Sequence, residues 1–414
     1  MRILFLTQFF HPEPIFKGLP FARALQQRGH SIEVLTGFPN YPGGRVYPGY
    51  RVRAFQRETV EGIPVMRVPL YASHDRSRVR RVLNYLSFGT AAYSLGCGRA
   101  QAPDLIYLFN LVTLGPAARR LRRRHRAPVL MDVQDLWPES VVDSGMLRRE
   151  GAFVRALRSW CRREYRSVDA LTVLSPGFKR NLCARGVSPE RIEVIYNWCD
   201  EGSIRVSEPG AEFRRRYGLH ERFNLVFAGT MGNVQGLDAV IAAARLLARD
   251  SDGVRITFLG GGVELPRLKE VAAGVSTVQF LPACSQVEVG SFLGAADVLL
   301  VHLKREAASA GTIPSKVQAY LFAGKPILCG VEGDSADLVR RAGAGVCCEP
   351  ENAEEIAGCI RVLQRMPREA REEMGDRGHS FYMREICFAK GLERFEKAFE
   401  RAIERHRAMA GDAG

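Results

Sequence analysis

The stretch "PVLMDVQDLWPES", residues 128–140, decides how the chain is read. Val129 to Val133 is a short run, largely apolar, closed off by Pro128 on one side and Gln134-Asp135 on the other. That is the pattern of a central parallel strand covered on both faces. Yet Asp132, Asp135 and Glu139 place three carboxylates in and just after it. Unpaired carboxylates are costly inside a core. Either they cap the strand end and form a turn, Asp132 first among them, or they line a cleft for a chemical purpose.

Working outward, strand-like and helix-like runs alternate. Arg2–Thr7 precedes an amphipathic segment, 18–28, with Gly29 where a helix C-terminal glycine belongs, and then Ser31–Thr36. Further strands are expected at 104–109, 170–174 and 192–196. This rhythm implies a doubly wound parallel sheet. A Gly-, Ser- and Pro-containing break at 201–221 interrupts it, and the rhythm restarts at 223–228, 254–259, 278–281, 297–301 and 326–329. The last stretch, 388–409, spaces Phe388, Leu392, Phe395, Phe399 and Ile403 as the apolar stripe of a helix. The expected architecture is α/β, with two Rossmann-like doubly wound domains. We place them at 1–205 and 206–379, with 380–414 as a closing helix.

A length of 414 residues favours two domains over one core. No uninterrupted apolar stretch is long enough to cross a membrane, and the apolar N-terminus is too short for a signal peptide and reads as a strand. Ten cysteines without a C-x-x-C pair read as reduced thiols of a cytoplasmic protein. The net charge of +14 lies wholly in the first half, since residues 1–200 hold 31 Lys/Arg against 16 Asp/Glu. One half is therefore expected to face an anionic partner. Two basic runs stand out there. Arg119, Arg120, Arg122, Arg123, Arg124 and Arg126 form one; Arg76, Arg78, Arg80 and Arg81 form the other, leading into the apolar-aromatic 82–88. The second order suits an anionic membrane surface, with Arg78, Arg80 and Arg81 as contacts; a solvated helix face is the alternative. No nucleic-acid-binding pattern is present.

Ligands of doubly wound sheets bind beyond the carboxyl ends of strands, so the loops there carry the chemistry. Gly229, Thr230, Gly232 and Asn233 follow the first strand of the second half, where backbone N–H groups at the next helix can meet a phosphate. A plain turn reads equally well. In "SAGTIPSKVQAYLFAGKPIL", residues 309–328, Ser309, Gly311 and Thr312 make a loop, Pro314 suits the first helical turn, and Ser315 and Lys316 open a helix. A lysine in a first turn opposes the helix dipole and asks for an anion such as a diphosphate; a capped helix with a surface lysine is the bland alternative. Leu281, ending a strand, offers its backbone to a base edge. The pair Asp132/Asp135 alone does not make a magnesium site.

With these pieces placed, the chain resembles glycosyltransferase family 4, the retaining GT-B enzymes, in the branch of bacterial O-antigen and colanic-acid fucosamine-type transferases. The matching stretches are "FFHPEP", "LQQRGHSIEVLTGFPNYPGG", "MDVQDLWPES", "VLSPGFKRNL", "VIYNWCD", "FAGTMGNVQGL" and "IPSKVQAYLFAGKPI". The resemblance implies an N-terminal acceptor domain, a C-terminal nucleotide-sugar domain, catalysis in the cleft between them and a final helix crossing back to the first. It implies transfer of a sugar, an N-acetylated deoxyhexosamine among the candidates, from a UDP-sugar to a polyprenyl-diphosphate-linked saccharide, without cofactor or metal. The enzyme would sit at the inner face of the plasma membrane.

Carried onto this chain, the resemblance places donor contacts at Gly229, Thr230, Gly232, Asn233, Leu281, Ser309, Gly311, Thr312, Ser315 and Lys316. Acceptor contacts fall at Lys17, Gly18, Asn40 and Tyr41. Residues 133–140 occupy the place of a catalytic His-containing loop, making Asp135 the first candidate to orient or deprotonate the acceptor hydroxyl and Glu139 the second. Where many relatives carry a Glu-x7-Glu pair, this chain has Gly311 and Ala319, so the donor contacts rest on Lys316, hydroxyls and backbone N–H groups. Two other functions fit the same fold: a nucleotide-sugar epimerase, and a non-catalytic subunit of a polysaccharide assembly.

Overall fold

The structure is a computed structural model that describes residues 1–73, 78–139, 151–220, 222–249, 253–305 and 311–411. It divides into two compact units. One comprises Met1–Leu174, Phe178–Ile195 and Leu392–Gly414, the other Ser175–Gly177 and Tyr196–Gly391.

The first unit is built on eight strands: β1 (Arg2–Leu6), β2 (Ser31–Gly37), β3 (Gln56–Val60), β4 (Ile63–Val68), β5 (Leu105–Phe109), β6 (Val129–Val133), β7 (Ala170–Val173) and β8 (Ile192–Val194). Their order across the sheet is β3-β4-β2-β1-β5-β6-β7-β8, and all neighbours are parallel except β3 and β4. That antiparallel edge is absent from the sequence reading. Residues 56–60 are polar and half-exposed, so they lack the apolar signature of the buried strands. What makes the hairpin is Glu61-Gly62, both at positive φ (47° and 83°), the mirror-image turn that suits a two-residue connection.

The first helix, Leu19–Gln27, ends as its sequence suggests. Gly29, at φ 88°, donates to Gln26 O while His30 N–H donates to Leu25 O, closing a Schellman motif. The final helix, Phe388–Gly411, contributes its residues from Leu392 onward to this unit rather than from 380. Phe395 lies 5.1 Å from the Phe21 ring and 6.0 Å from Tyr107, and Phe399 5.8 Å from Tyr107. Its first turn belongs elsewhere: Phe388 packs on Trp198 of the second unit at 5.3 Å.

The second unit holds β9 (Phe223–Ala228), β10 (Val254–Leu259), β11 (Val278–Leu281), β12 (Val298–His302), β13 (Ile327–Gly330) and β14 (Gly345–Cys347), ordered β11-β10-β9-β12-β13-β14 and wholly parallel. The short β14 was not legible either. Its first residue must be glycine, because a Cβ at Gly345 would strike Ile327 O. All ten cysteines are free thiols.

In both sheets the chain starts centrally and the strand order reverses beside the first strand. The reversal falls between β1 and β5 in one and between β9 and β12 in the other, the places where such sheets open a crevice beyond their carboxyl ends.

Candidate active site

In the first unit the site is organised around Asp132, which is not a strand-end cap. Only 1% of it is exposed, and its carboxylate accepts four hydrogen bonds. Lys17 Nζ (2.8 Å) and Tyr107 Oη (2.8 Å) donate to Oδ2; Thr172 Oγ1 (3.0 Å) and Gln134 Nε2 (2.8 Å) donate to Oδ1. The network ties β5, β6 and β7 to the loop after β1, and explains how a carboxylate is tolerated in the core. Lys17 is thereby relocated. Expected to meet the acceptor, it is buried, paired with Asp132, and lies 4.7 Å from the Phe395 ring centroid. Burial pushes its ammonium pKa down and Asp132 opposes the shift.

Asp135 is exposed just beyond β6, and its carboxylate is held. Asn110 Nδ2 donates to Asp135 Oδ2 at 3.0 Å, while Asn110 Oδ1 accepts from the backbone N–H groups of Gln134 (3.2 Å) and Asp135 (3.1 Å). Tyr85 is raised in pKa, first by burial, with Arg81 opposing and Asp135 and Tyr41 adding to the rise, so these four polar groups share one neighbourhood. Glu139 is engaged differently. Arg185 donates to it at 2.6 Å and also binds Trp137 O at 2.5 Å, so the second candidate carboxylate is neutralised by a local arginine. Asp135 and Glu139 therefore do not serve as interchangeable partners.

The loops after β1 and β2 meet over Glu13, a residue missed by the sequence reading. Its carboxylate accepts from the N–H groups of Phe10 (3.0 Å), Asn40 (2.8 Å) and Tyr41 (2.8 Å). Burial nonetheless pushes its pKa up to about 7, against those bonds and the Arg67 charge. Asn40 is buried and Tyr41 half-buried. Gly18 is required by contact, since a Cβ there would lie 2.9 Å from Ile15 O. Of the four expected acceptor residues, Tyr41 is the one whose side chain retains exposure at the site. The signal for Glu13 was present in "HPEP", a carboxylate between two prolines after a strand.

In the second unit, Lys316 stands in the first turn of the helix Ser315–Ala323, with Pro314 as its N-cap rather than inside the turn. Its Nζ lies 4.7 Å from the Phe227 ring centroid, and among the described residues it has no hydrogen bond or ion pair. Burial lowers its pKa with nothing opposing. Gly229, at φ 132°, makes room for it: a Cβ there would lie 2.9 Å from both Lys316 Cε and Nζ. A half-buried cation in the first turn of a helix is an arrangement that suits an anion.

The surrounding loops are tightly nested. Gly260 and Gly262, in the Gly-Gly-Gly run after β10, press against Gly229 O and Met231 O, so side chains there would collide. Gly232, in the loop after β9, donates its N–H to Gln235 Oε1 at 2.8 Å. His302, ending β12, donates from Nδ1 to Gln235 O (2.7 Å) and accepts the Glu351 N–H at Nε2 (3.1 Å), which fixes one neutral tautomer; burial lowers its pKa. Their signals in the sequence are three consecutive glycines and a strand-terminal histidine.

Other expected donor residues fare variously. Thr230, Thr312 and Ser315 are exposed around the Lys316 helix start and the β9 loop. The Asn233 amide oxygen is taken by Lys304 Nζ at 2.7 Å. The Leu281 carbonyl accepts the Gly260 N–H at 3.0 Å, which occupies one of its two lone pairs. Ser309 lies outside the described residues. Gly311 has φ 72°, and a Cβ there would lie 2.9 Å from Gly177 Cα, so a side chain at this position would be strained and would force the backbones apart.

Of the basic run, Arg76 and the side chain of Arg78 lie outside the described residues. Arg80 is exposed; Arg81 is half-buried, its Nε without a hydrogen-bond partner among the described residues. Leu83, Leu86 and Tyr93 are each nearly half exposed. A cavity of about 530 Å³ is lined by Leu86, Tyr93, Trp160, Arg119, Arg120 and Arg123. Another, of about 730 Å³, opens by Arg222, Asp297 and Pro326, at the strand ends opposite the Lys316 site. Among the described residues no three His, Cys, Asp or Glu side chains gather as metal ligands, and no helix is long and apolar enough to cross a membrane.

Each unit thus carries a loop cluster at its switch point, one with a held carboxylate and the other with a half-buried cation. Residues 19–198 match the family model of the glycosyl transferase 4-like domain, and residues 211–381 that of glycosyl transferases group 1. The chain belongs to the family 4 glycosyltransferases of GT-B fold. It is 27% identical over 357 residues to the putative colanic acid biosynthesis glycosyl transferase WcaI of Escherichia coli K12, covering 83% of this chain and 86% of that protein. It is 25% identical to the probable glycosyltransferase WbjE of Pseudomonas aeruginosa over 55% of this chain and 58% of that one. In fold it is similar to Anabaena Alr3699/HepE, solved in complex with UDP, with a TM-score of 0.69 at 15% identity over 97% of this chain and all of that one.

Proposed function

We propose that the chain transfers a sugar from a UDP-sugar to a polyprenyl-diphosphate-linked saccharide in the making of a bacterial surface polysaccharide. The observation that carries the donor half is Lys316. It is a desolvated ammonium without a carboxylate partner among the described residues, beside a glycine that admits it and a helix start. As the sugar–phosphate bond breaks, negative charge grows on the departing diphosphate, and a fixed cation stabilises that state more than the ground state. The UDP held by HepE and the colanic-acid role in the name of WcaI support this choice of donor and pathway class.

On the acceptor side Asp135 accepts a hydrogen bond from the incoming hydroxyl and aligns it. The hydroxyl oxygen forms the new bond to the anomeric carbon on the face from which UDP leaves, so configuration is retained. Its proton passes to Asp135 or to the departing phosphate oxygen. No metal is assigned a part. The exposed Leu83, Leu86 and Tyr93 beside Arg120 and Arg123 support peripheral attachment to an anionic membrane, where the lipid-linked acceptor resides.

The test is nucleotide release from a panel of UDP- and GDP-sugars, with and without a polyprenyl-diphosphate-linked monosaccharide. Acceptor-dependent UDP release with a new glycosidic product supports the reading. Conversion of one nucleotide-sugar into another without acceptor would make it an epimerase, and tight binding without turnover an assembly subunit.

A further inference from the structure

Asn110 is the one non-glycine residue at positive φ (63°) beside the strand-order reversal of the first unit, immediately after β5. Left-handed backbone is unfavourable for a side-chain-bearing residue, and asparagine tolerates it best. Such strain persists only where surroundings impose it, and it collects at functional sites. Here the surroundings are specific. The Asn110 N–H donates to Asp132 O at 2.8 Å, anchoring its backbone to the end of β6. That turn aims the side-chain amide at residues 134–135, and both ends of the amide are used.

We propose that Asn110 is the positioning residue of Asp135. Its Oδ1 gathers the N–H groups of Gln134 and Asp135 and sets the turn, while its Nδ2 holds one oxygen of the Asp135 carboxylate and leaves the other for the acceptor hydroxyl. The amide thus fixes both where the carboxylate stands and which lone pairs remain. It never touches the reacting atoms. A purely structural turn former would need only the Oδ1 contacts, as asparagine side chains commonly mimic a backbone turn. The Nδ2 bond to an exposed carboxylate is the part that a turn does not require. Neither Asn110 nor this arrangement is legible in "YLFNLV" without the fold, because its partners lie 24 and 25 residues downstream.

The inference rests on the Asp135 reading above, and the experiment separates the two. Asn110→Gly keeps the left-handed backbone and removes only the amide. Asn110→Asp keeps an acceptor for the two N–H groups but sets a carboxylate against Asp135. Rates are measured as UDP released with the donor and lipid-linked acceptor found in the panel, alone and in the Asp135→Asn background. We expect Asn110→Gly to lower kcat roughly ten- to hundredfold with KM for the donor unchanged, a smaller loss than the about 10²- to 10⁴-fold contributed by a general acid–base group itself. Asn110→Asp should lower it further, and neither should add to the loss already caused by Asp135→Asn.

A ligand-free measurement runs in parallel, on the Asn110 side-chain amide signal in 15N NMR, identified by its loss in Asn110→Gly. It should move with pH in the parent and not in Asp135→Asn. A fully active Asp135→Asn would overturn the Asp135 reading whatever Asn110 does. An impaired Asp135→Asn beside an unimpaired Asn110→Gly would overturn this inference alone. So would full additivity of the two losses, or an amide signal whose pH response is the same with and without the Asp135 carboxylate.

Discussion

Lys17 Nζ and Asp132 Oδ2 meet at 2.8 Å with both side chains shut off from solvent, and that pair fixes the loop after β1 to the centre of the sheet. Breaking a buried pair by removing one partner strands the other charge, at about 3–5 kcal/mol. Lys17→Met and Asp132→Asn should each lower stability by roughly that amount. The double variant should recover part of it. Urea denaturation of the four proteins provides the cycle, and single variants within about 1 kcal/mol of the parent would count against the network's role.

Lys316→Ala should weaken UDP binding by about 10- to 150-fold, the value of roughly 1.5–3 kcal/mol for a charge-assisted contact. Because burial lowers the Lys316 pKa, its ammonium deprotonates at lower pH than an ordinary lysine. UDP affinity should therefore decline as pH rises, at lower pH than an ordinary lysine would give. Lys316→Arg, charged throughout, should flatten that decline. Calorimetric titration of UDP at a series of pH values reads both effects.

Glu13 should make its mark on stability against pH. Its folded pKa of about 7 stands above the unfolded value of 4.5. Between these values the folded chain keeps a proton that the unfolded chain has released. Its contribution is thus full below about pH 4.5 and lost as pH rises through about 7, a swing of roughly 3 kcal/mol. Comparing the parent with Glu13→Gln isolates this group from other carboxylates. The parent's stability relative to the variant should fall between pH 4.5 and 8; a constant difference would remove the assignment.

Asp135→Asn should fold, bind UDP as the parent does, and transfer sugar at least about a hundredfold more slowly. Glu139→Gln should behave otherwise, because Glu139 is held by Arg185. We expect a lowered melting temperature with near-normal turnover. Melting temperature, UDP affinity and initial rate on the same preparations distinguish a chemical carboxylate from a structural one.

Replacing Leu83 and Leu86 with Ser, and Arg120 and Arg123 with Gln, should reduce sedimentation with anionic vesicles. Each basic residue near such a surface contributes roughly 1 kcal/mol. Equal sedimentation of parent and variant would remove this patch from membrane attachment.

Much was settled by local pattern alone. Apolar runs such as 223–228 and 254–259 announce buried parallel strands because such strands must be apolar on both faces. Gly29 ends its helix because the left-handed position there favours glycine, and Lys316 was suspect because a cation opposes a helix N-terminus. These are properties of a residue and its near neighbours, which a sequence displays directly. Only the tertiary structure decided which carboxylate was which. Asp132, Asp135 and Glu139 are alike as letters within eight residues; their roles come from Lys17 at 115 residues' distance, Asn110 at 25 and Arg185 at 46. The same holds for the β3–β4 edge, where exposure removes the apolar signal, and for Gly311, whose backbone crosses Gly177 too closely for a side chain. Desolvation and partner choice depend on contacts far apart in the chain, and the folded backbone alone brings those residues together.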